Sequence, residues 1–230
     1  MSIKHVLLDL DDTILDFHKS ERIALSKTFL EFGIDPSEST LSLYSQINRE
    51  CWQRLERLEL SRDEVLCGRF AILFDRIGVV ADERAVQARY EYNLSFEAHF
   101  LPGAEQMLEY LYGKYKLYIA SNGTAIVQDR RIDISGIAKY FDGIFISQRL
   151  EADKPSPEFF RRAIAAMGDP LRDEIIIVGD SLTSDIKGGE DAGIHTCYFN
   201  PRGYQNKTEI TPEYEISSYE ELYTVLGSIK

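Results

Sequence analysis

Apolar residues along this chain fall into short consecutive runs, separated by longer stretches with helical spacing. The runs Ile3–Leu8, Leu117–Ala120, Gly143–Ile146, Ile175–Val178 and Thr196–Phe199 predict strands. Most are apolar at successive positions, which suits a sheet covered on both faces. Between them, patterns over Ala104–Tyr112, Pro157–Met167, Leu182–Ala192 and Tyr219–Leu226 predict helices. Ser156 reads as an N-cap with Pro157 at the first helical position. Strand alternating with helix implies an α/β fold with a doubly wound parallel sheet.

One long piece interrupts the alternation. Residues 19–98 show helical periods and no convincing strand. Leu25, Phe29 and Phe32 share one face. So do Ile47, Cys51, Trp52, Leu55 and Leu58, and later Leu66, Phe70, Leu73, Phe74 and Ile77. Gly33 and Pro36 separate the first helix from the second, and Gly78 follows the third. The pattern predicts a block of about four helices, inserted between the first strand and the second. Leu101-Pro102-Gly103 marks the return. The expected organisation is a sheet domain over 1–18 and 99–230, with a helical cap over 19–98.

Composition narrows the classes of partner. The chain has 230 residues and a formal net charge of −12. That balance argues against nucleic-acid polymers, whose phosphates reward Lys/Arg surfaces, but not against a small phosphorylated ligand. Cys51, Cys67 and Cys197 are odd in number and show no CxxC spacing, which predicts reduced, packed thiols and a cytoplasmic setting. No apolar run approaches the ~20 residues of a membrane helix. Asp9 interrupts the first apolar segment too early for a signal peptide.

The polar residues at the strand ends carry the candidate chemistry. The first strand runs into Asp9-Leu10-Asp11, the second into Ser121-Asn122-Gly123, and the fourth into Gly179-Asp180, with Asp185 a turn later. In an open parallel sheet the carboxyl ends of the strands lie along one edge, where ligands bind. Two carboxylates about 4 Å apart repel by roughly 4 kcal/mol at an effective dielectric of about 20. Such crowding raises pKa values or demands a cation. Oxygen-only ligands favour a hard ion, most naturally Mg²⁺, which also takes substrate phosphate oxygens. Ser121 offers a hydroxyl, the turn at Asn122–Thr124 offers backbone N–H groups, and Lys154 in Asp-Lys-Pro offers a compact positive charge. Asp9 then fits a carboxylate nucleophile that forms an aspartyl-phosphate. Asp11 fits the general acid and base.

DLDDT, SNG, DKP and GDSLTSD, in that order, resemble the four motifs of the haloacid dehalogenase-like (HAD) hydrolases. The resemblance spans nearly the whole chain and implies a Rossmann-like core with a C1-type cap inserted between the first two motifs. It implies Asp9 as nucleophile and Asp11 as acid and base, with the Asp11 backbone carbonyl also on Mg²⁺. It further implies Asp180 as a metal ligand, Asp185 as the acid supporting the metal, and Ser121 and Lys154 as phosphate-binding residues. More narrowly, DLDDTILDF, SNG and VGDSLTSDIKGG resemble the YjjG-like pyrimidine 5′-nucleotidases. Phosphatases of sugar phosphates share similar strings. The resemblance thus implies a Mg²⁺-dependent phosphomonoesterase acting on a small phosphorylated metabolite, with a nucleotide preferred. A phosphomutase or a dehalogenase of the same fold, or a non-catalytic regulator, stays open, as does the choice between monomer and homodimer.

Each residue also has a plainer role. Asp9, Asp11 and Asp180 suit turns, and Ser121 and Asn122 suit helix caps. Asp12 reads as a solvated neighbour or a helix-start charge, Asp185 as an acid on a helix face, and Thr13 as either a support for the nucleophile's loop or a turn cap. In the cap, Phe17, His18, Tyr44, Arg49 and Trp52 are candidates for a base pocket, though Trp52 falls on an apolar stripe with Leu55 and reads as core. Arg202–Thr208 reads as a polar loop, at the site's mouth or simply on the surface.

Overall fold

The computed structural model describes residues 2–229, so the outermost residues of the expected core segments, at positions 1 and 230, lie outside the described residues. Strand β1 (His5–Leu8) is followed by helices α1 (Phe17–Glu31), α2 (Glu38–Glu56), α3 (Arg62–Ile77) and α4 (Glu83–Leu94). The chain continues through α5 (Ala104–Leu111), β2 (Lys116–Ser121), α6 (Ala125–Ser135), β3 (Gly143–Ile146), the short α7 (Ser147–Leu150) and α8 (Pro157–Ala166). It ends with β4 (Ile175–Gly179), α9 (Lys187–Asp191), β5 (His195–Phe199), β6 (Tyr214–Ile216) and α10 (Tyr219–Ser228). Two compact units result: Met1–Asp16 with His99–Lys230, and Phe17–Ala98.

The first unit is built on a six-stranded sheet in the order β3-β2-β1-β4-β5-β6. Every pair is parallel. The strand order reverses direction at β1, so the crevice beyond the carboxyl ends of β1 and β4 is the topological switch point. Leu8 is in register with Ile119 on one side and Val178 on the other. The tips of three strands therefore stand side by side. β4 reads Ile175-Ile176-Ile177-Val178 and is buried along its whole length, as a central strand covered on both faces must be. On one face Leu7, Tyr118, Phe145, Ile175 and Ile177 pack against Phe159, Phe160, Ala163 and Ile164 of α8. The Ser156 side chain accepts the Glu158 N–H, with Pro157 in the first turn, so α8 begins as its sequence predicts.

Three elements depart from the sequence pattern. β6 is too short to show an apolar run. The stretch expected as one helix over Leu182–Ala192 opens with a wide turn at Leu182–Ile186 before α9. There Ile186 N–H donates to Ser181 O at 3.2 Å, an i→i+5 bond that re-aims the side chains of that turn. Helix α6 has no apolar stripe, because its buried face carries Gln128 and Arg131 beside Val127 and Ile132.

The second unit is a bundle in which α1 packs on α4 and α2 on α3. Ser61 and Glu64 form a capping box at the start of α3, and Asp82 caps α4. Phe29, Tyr44, Phe70 and Tyr90 form its centre, with ring centroids 5.0 to 6.5 Å apart. Phe32 and Leu58, expected on the buried stripes, are exposed because α1 and α2 stop at Glu31 and Glu56 before reaching them. Arg69, by contrast, is buried among the rings, 5.3 Å from the Tyr90 centroid. Its guanidinium donates to Asn48 Oδ1 at 2.6 Å and to Gln87 Oε1 at 2.9 Å. Asn48 Nδ2 donates in turn to Glu21 Oε1 at 2.8 Å, and Ser45 Oγ to Glu21 Oε2 at 2.7 Å. One amide thus bridges a buried cation and a buried carboxylate across three helices.

Burial raises the Glu21 pKa above its ordinary 4.5, against the pull of the Ser45 hydrogen bond and of Arg69. The folded chain therefore holds this proton more tightly than the unfolded chain. The stability it contributes is complete below the ordinary value and is lost as pH rises through the raised one. Glu21→Gln cannot ionise. Its melting temperature should gain on the parent's between about pH 4.5 and pH 7. A difference between the two melting curves that stays flat or shrinks over that range would contradict the buried-carboxyl account.

Candidate active site

β1 delivers Asp9 to the sheet edge, where its N–H donates to Val178 O at 2.9 Å and its side chain is buried. Beyond it the chain folds back on itself, with Leu10 O accepting from Ile14 N–H and Leu15 N–H. Asp12 takes a left-handed conformation at φ 54°, which Asp tolerates better than most residues. Asp12 is not the solvated neighbour its sequence suggests: it is buried, and Arg202 Nη2 approaches its Oδ1 at 3.3 Å. The partner stands 190 positions along the chain, beyond the reach of local reading. Arg202 also lies 3.7 Å from Asp16, so the start of the Arg202–Thr208 loop is tied down at the site.

Lys154 is the hub. It is 2% exposed, and its Nζ donates at 2.6 Å each to Asp9 Oδ1, Asp185 Oδ1 and Ala120 O. All three ammonium protons are thereby directed. Burial alone would drive the proton off, but Asp185 and Asp9 more than offset it and hold the Lys154 pKa above its ordinary value. Asn122 fixes the main chain of Lys154 from both sides: its Nδ2 donates to Lys154 O at 2.8 Å, and its Oδ1 accepts Lys154 N–H at 2.8 Å. Asn122 is therefore a brace for the lysine and not a helix cap; the residue before α6 is Thr124.

Asp185 is 1% exposed, which removes the plain helix-face reading. Its Oδ2 accepts Ser181 N–H at 3.1 Å while its Oδ1 faces Lys154. Gly179 makes room for it, since a Cβ there would meet Asp185 Oδ2 at 2.2 Å. Asp180, next in the chain, is half-buried. One carboxylate oxygen from each of Asp9, Asp180 and Asp185 lies within 4.8 Å of the other two. Burial, then the charges of Asp9, Asp12 and Asp185, push the Asp180 carboxyl well above the usual range. Burial likewise pushes Asp9 up to about 8, against the pull of Lys154. The site holds more carboxyl groups than one ammonium can neutralise if all ionise. An all-oxygen donor set of clustered acids fits a hard divalent ion.

Asp11 turns elsewhere. Its Oδ1 accepts Arg131 Nη1 at 2.6 Å and its Oδ2 accepts Gln128 Nε2 at 2.7 Å. The same Gln128 nitrogen lies 2.9 Å from Ser121 Oγ. Gln128 and Arg131 were not among the sequence candidates. Their signal was the missing apolar stripe of α6, where two long polar residues a turn apart replace hydrophobic ones. Thr13 is buried, its carbonyl accepts Tyr219 Oη at 2.9 Å, and its hydroxyl has no hydrogen-bond partner among the described residues.

The helical unit treats its candidates differently. Tyr44 is fully buried in the aromatic core, which leaves no face for a base. Trp52 is half-buried under the Arg62 guanidinium at 5.6 Å and so is not a core residue. His18 and Arg49 are exposed, and Phe17 is half-buried. The three cysteines are free, with Cys51 and Cys197 buried. No helix among the described residues is long and apolar enough to cross a membrane.

With the strand tips and their acids in view, comparison with known proteins assigns the class. The model of the haloacid dehalogenase-like hydrolases matches residues 3–193, and the chain belongs to that family of enzymes. It is 35% identical over 227 residues to the pyrimidine 5′-nucleotidase PynA of Streptococcus pneumoniae, covering 98% of this chain and 96% of that one. It is 28% identical to the pyrimidine 5′-nucleotidase YjjG of Escherichia coli, covering 96% of each. Both agree with the YjjG-like character of its motifs. The solved structure of the putative HAD-hydrolase YfnB from Bacillus subtilis, bound to magnesium, superposes with a TM-score of 0.94 at 35% identity over 98% of this chain and 99% of that one.

The hub makes a stability prediction. Lys154→Met strands Asp9 and Asp185 without their shared cation in a buried setting. We expect a loss of about 3 kcal/mol at neutral pH without divalent ions, read from urea unfolding. An unchanged midpoint would show that the ammonium does not hold these acids together.

Proposed function

We propose that this hydrolase is a Mg²⁺-dependent phosphomonoesterase that works through an aspartyl-phosphate and prefers a nucleoside 5′-monophosphate, a pyrimidine one first. The observation that carries the reading is the meeting of Asp9, Asp180, Asp185 and Lys154 at the switch point of the sheet, with Asp11 and Ser121 beside them. The substrate class rests on the two nucleotidases it resembles. Free cysteines fit a cytoplasmic enzyme.

The chain's own groups divide the work. An Asp9 oxygen attacks phosphorus, and the bond from phosphorus to the alcohol oxygen breaks with its electron pair. Asp11 gives its proton to that oxygen, so the alcohol leaves neutral. In the second half Asp11, now a carboxylate, takes a proton from water as the water oxygen bonds to phosphorus. The bond between phosphorus and Asp9 breaks, which restores the nucleophile and releases phosphate. Lys154 keeps Asp9 oriented and offsets charge on the transferring group. Ser121 donates its hydroxyl to a phosphoryl oxygen. Asp9, Asp180 and the Asp11 main-chain carbonyl would hold Mg²⁺, with Asp185 in support. When bound, the ion supplies Lewis-acid neutralisation of phosphoryl charge. Monoester hydrolysis needs up to ~10²¹-fold acceleration, which suits a covalent route with several charges arrayed against one group.

Release of phosphate from p-nitrophenyl phosphate and from uridine 5′-monophosphate, with and without Mg²⁺, tests this directly. We expect metal-dependent turnover of both, abolished in Asp9→Asn with the melting curve of a folded protein. Asp180→Ala should shift the Mg²⁺ titration to higher concentration. Turnover in Asp9→Asn at the parent rate would remove the nucleophile assignment, and metal-independent turnover would remove the cofactor.

A further inference from the structure

Helix α6 carries two buried polar side chains, Gln128 and Arg131, that the reaction above leaves unused. Arg131 is 0% exposed and spends Nη1 on Asp11 Oδ1 and on Gln128 Oε1, at 2.6 and 2.8 Å. Gln128 spends Nε2 on Asp11 Oδ2 and Ser121 Oγ, at 2.7 and 2.9 Å. The three side chains form a closed ring: Arg131 to Asp11, Gln128 to Asp11, and Arg131 to Gln128. Two donors, one on each oxygen, fix the plane of a carboxylate as a single bond does not. Each oxygen keeps acceptor capacity for a second partner.

A second feature points the same way. Gly123 ends the SNG turn at φ outside the left-handed region, so the backbone does not call for glycine there. Space does. A Cβ at 123 would lie 2.6 Å from both Gln128 Cγ and Gln128 Nε2. The missing side chain lets the Gln128 amide cross the turn and reach Asp11 and Ser121 together.

We infer that Arg131 and Gln128 are positioning residues for the proton transfer, holding the Asp11 carboxyl in register with the leaving oxygen, and that Gly123 exists to admit the Gln128 arm. The inference rests on the phosphatase reading and deepens it. Neither α6 residue touches the reacting atoms. Both act through Asp11, and Gln128 also ties Asp11 to the Ser121 hydroxyl on the phosphate side. Buried Arg on a strand-edge helix is otherwise hard to rationalise, since an apolar residue of like volume would fill the same space without desolvating a charge.

The test separates positioning from support of the fold. p-Nitrophenolate leaves without a proton, whereas the ribose 5′-oxygen of uridine 5′-monophosphate needs one. The kcat/KM of each ester reports the steps up to loss of its leaving group. In Arg131→Met we expect kcat/KM for uridine 5′-monophosphate to fall about 100-fold, and for p-nitrophenyl phosphate less than about 5-fold. Arg131→Lys should recover part of the ratio. Gly123→Ala, which alters no atom of the ring, should shift the ratio in the same direction and keeps the test decisive if Arg131→Met does not fold. An equal fall for both esters, or an unchanged ratio in Gly123→Ala, overturns the positioning role while leaving the phosphatase standing. A parent enzyme that hydrolyses neither ester overturns both.

Discussion

One ammonium group shared by two buried carboxylates is the contact on which the rest of this site depends. Lys154 reaches Asp9 from β1 and Asp185 from the turn after β4, and it also takes the Ala120 carbonyl of β2. Three strand tips adjacent in the sheet are joined by one side chain. The arrangement works because β1 is central, in register with β2 and β4 at once. It also leaves a charge imbalance. Asp180 makes no hydrogen bond to that ammonium, and burial, then the charges of Asp9, Asp12 and Asp185, raise its pKa against the pull of Lys154. A divalent ion and a phosphoryl group together would complete the balance, one supplying positive charge and the other the oxygens that share it.

Around that contact the chain has built supports of two kinds. Some act by hydrogen bonding: Asn122 holds both sides of the Lys154 main chain, and Ser181 N–H holds Asp185. Others act by leaving space: Gly179 beside Asp185 and Gly123 beside Gln128. The second kind is as specific as the first, since an added methyl group would collide with a working side chain at 2.2 Å and 2.6 Å respectively.

Much of this was legible in the sequence because parallel strands buried on both faces write themselves as apolar runs. β1 to β5 were visible for that reason, and the acids stood at their ends. What was not legible depended on partners far along the chain or on faces without apolar character. β6 has only Tyr214–Ile216 with which to announce itself. Asp12 looked solvated because nothing local foretells Arg202. Helix α6 escaped because its buried side is polar, and the same polarity is its contribution to the site. Phe32 and Leu58 followed the helical period, but the helices ended first. In the bundle, Tyr44 looked like a ligand contact and proved to be core, and Arg69, to which no local pattern pointed, lies among the rings.

The path by which the chain leaves the sheet after β1 and rejoins it before α5 has its own consequence. Asp16 N–H donates to His99 O at 2.7 Å, and Leu101 N–H to Ile14 O at 3.0 Å, so departure and return run side by side. Eighty-odd residues are thus hung from a doorway one hydrogen bond wide, spanning Phe17–Ala98. Because the jambs are already paired, the sheet domain bears almost no closure entropy for whatever is hung there. The sheet and the chemistry at its edge are therefore framed independently of what the insert contains.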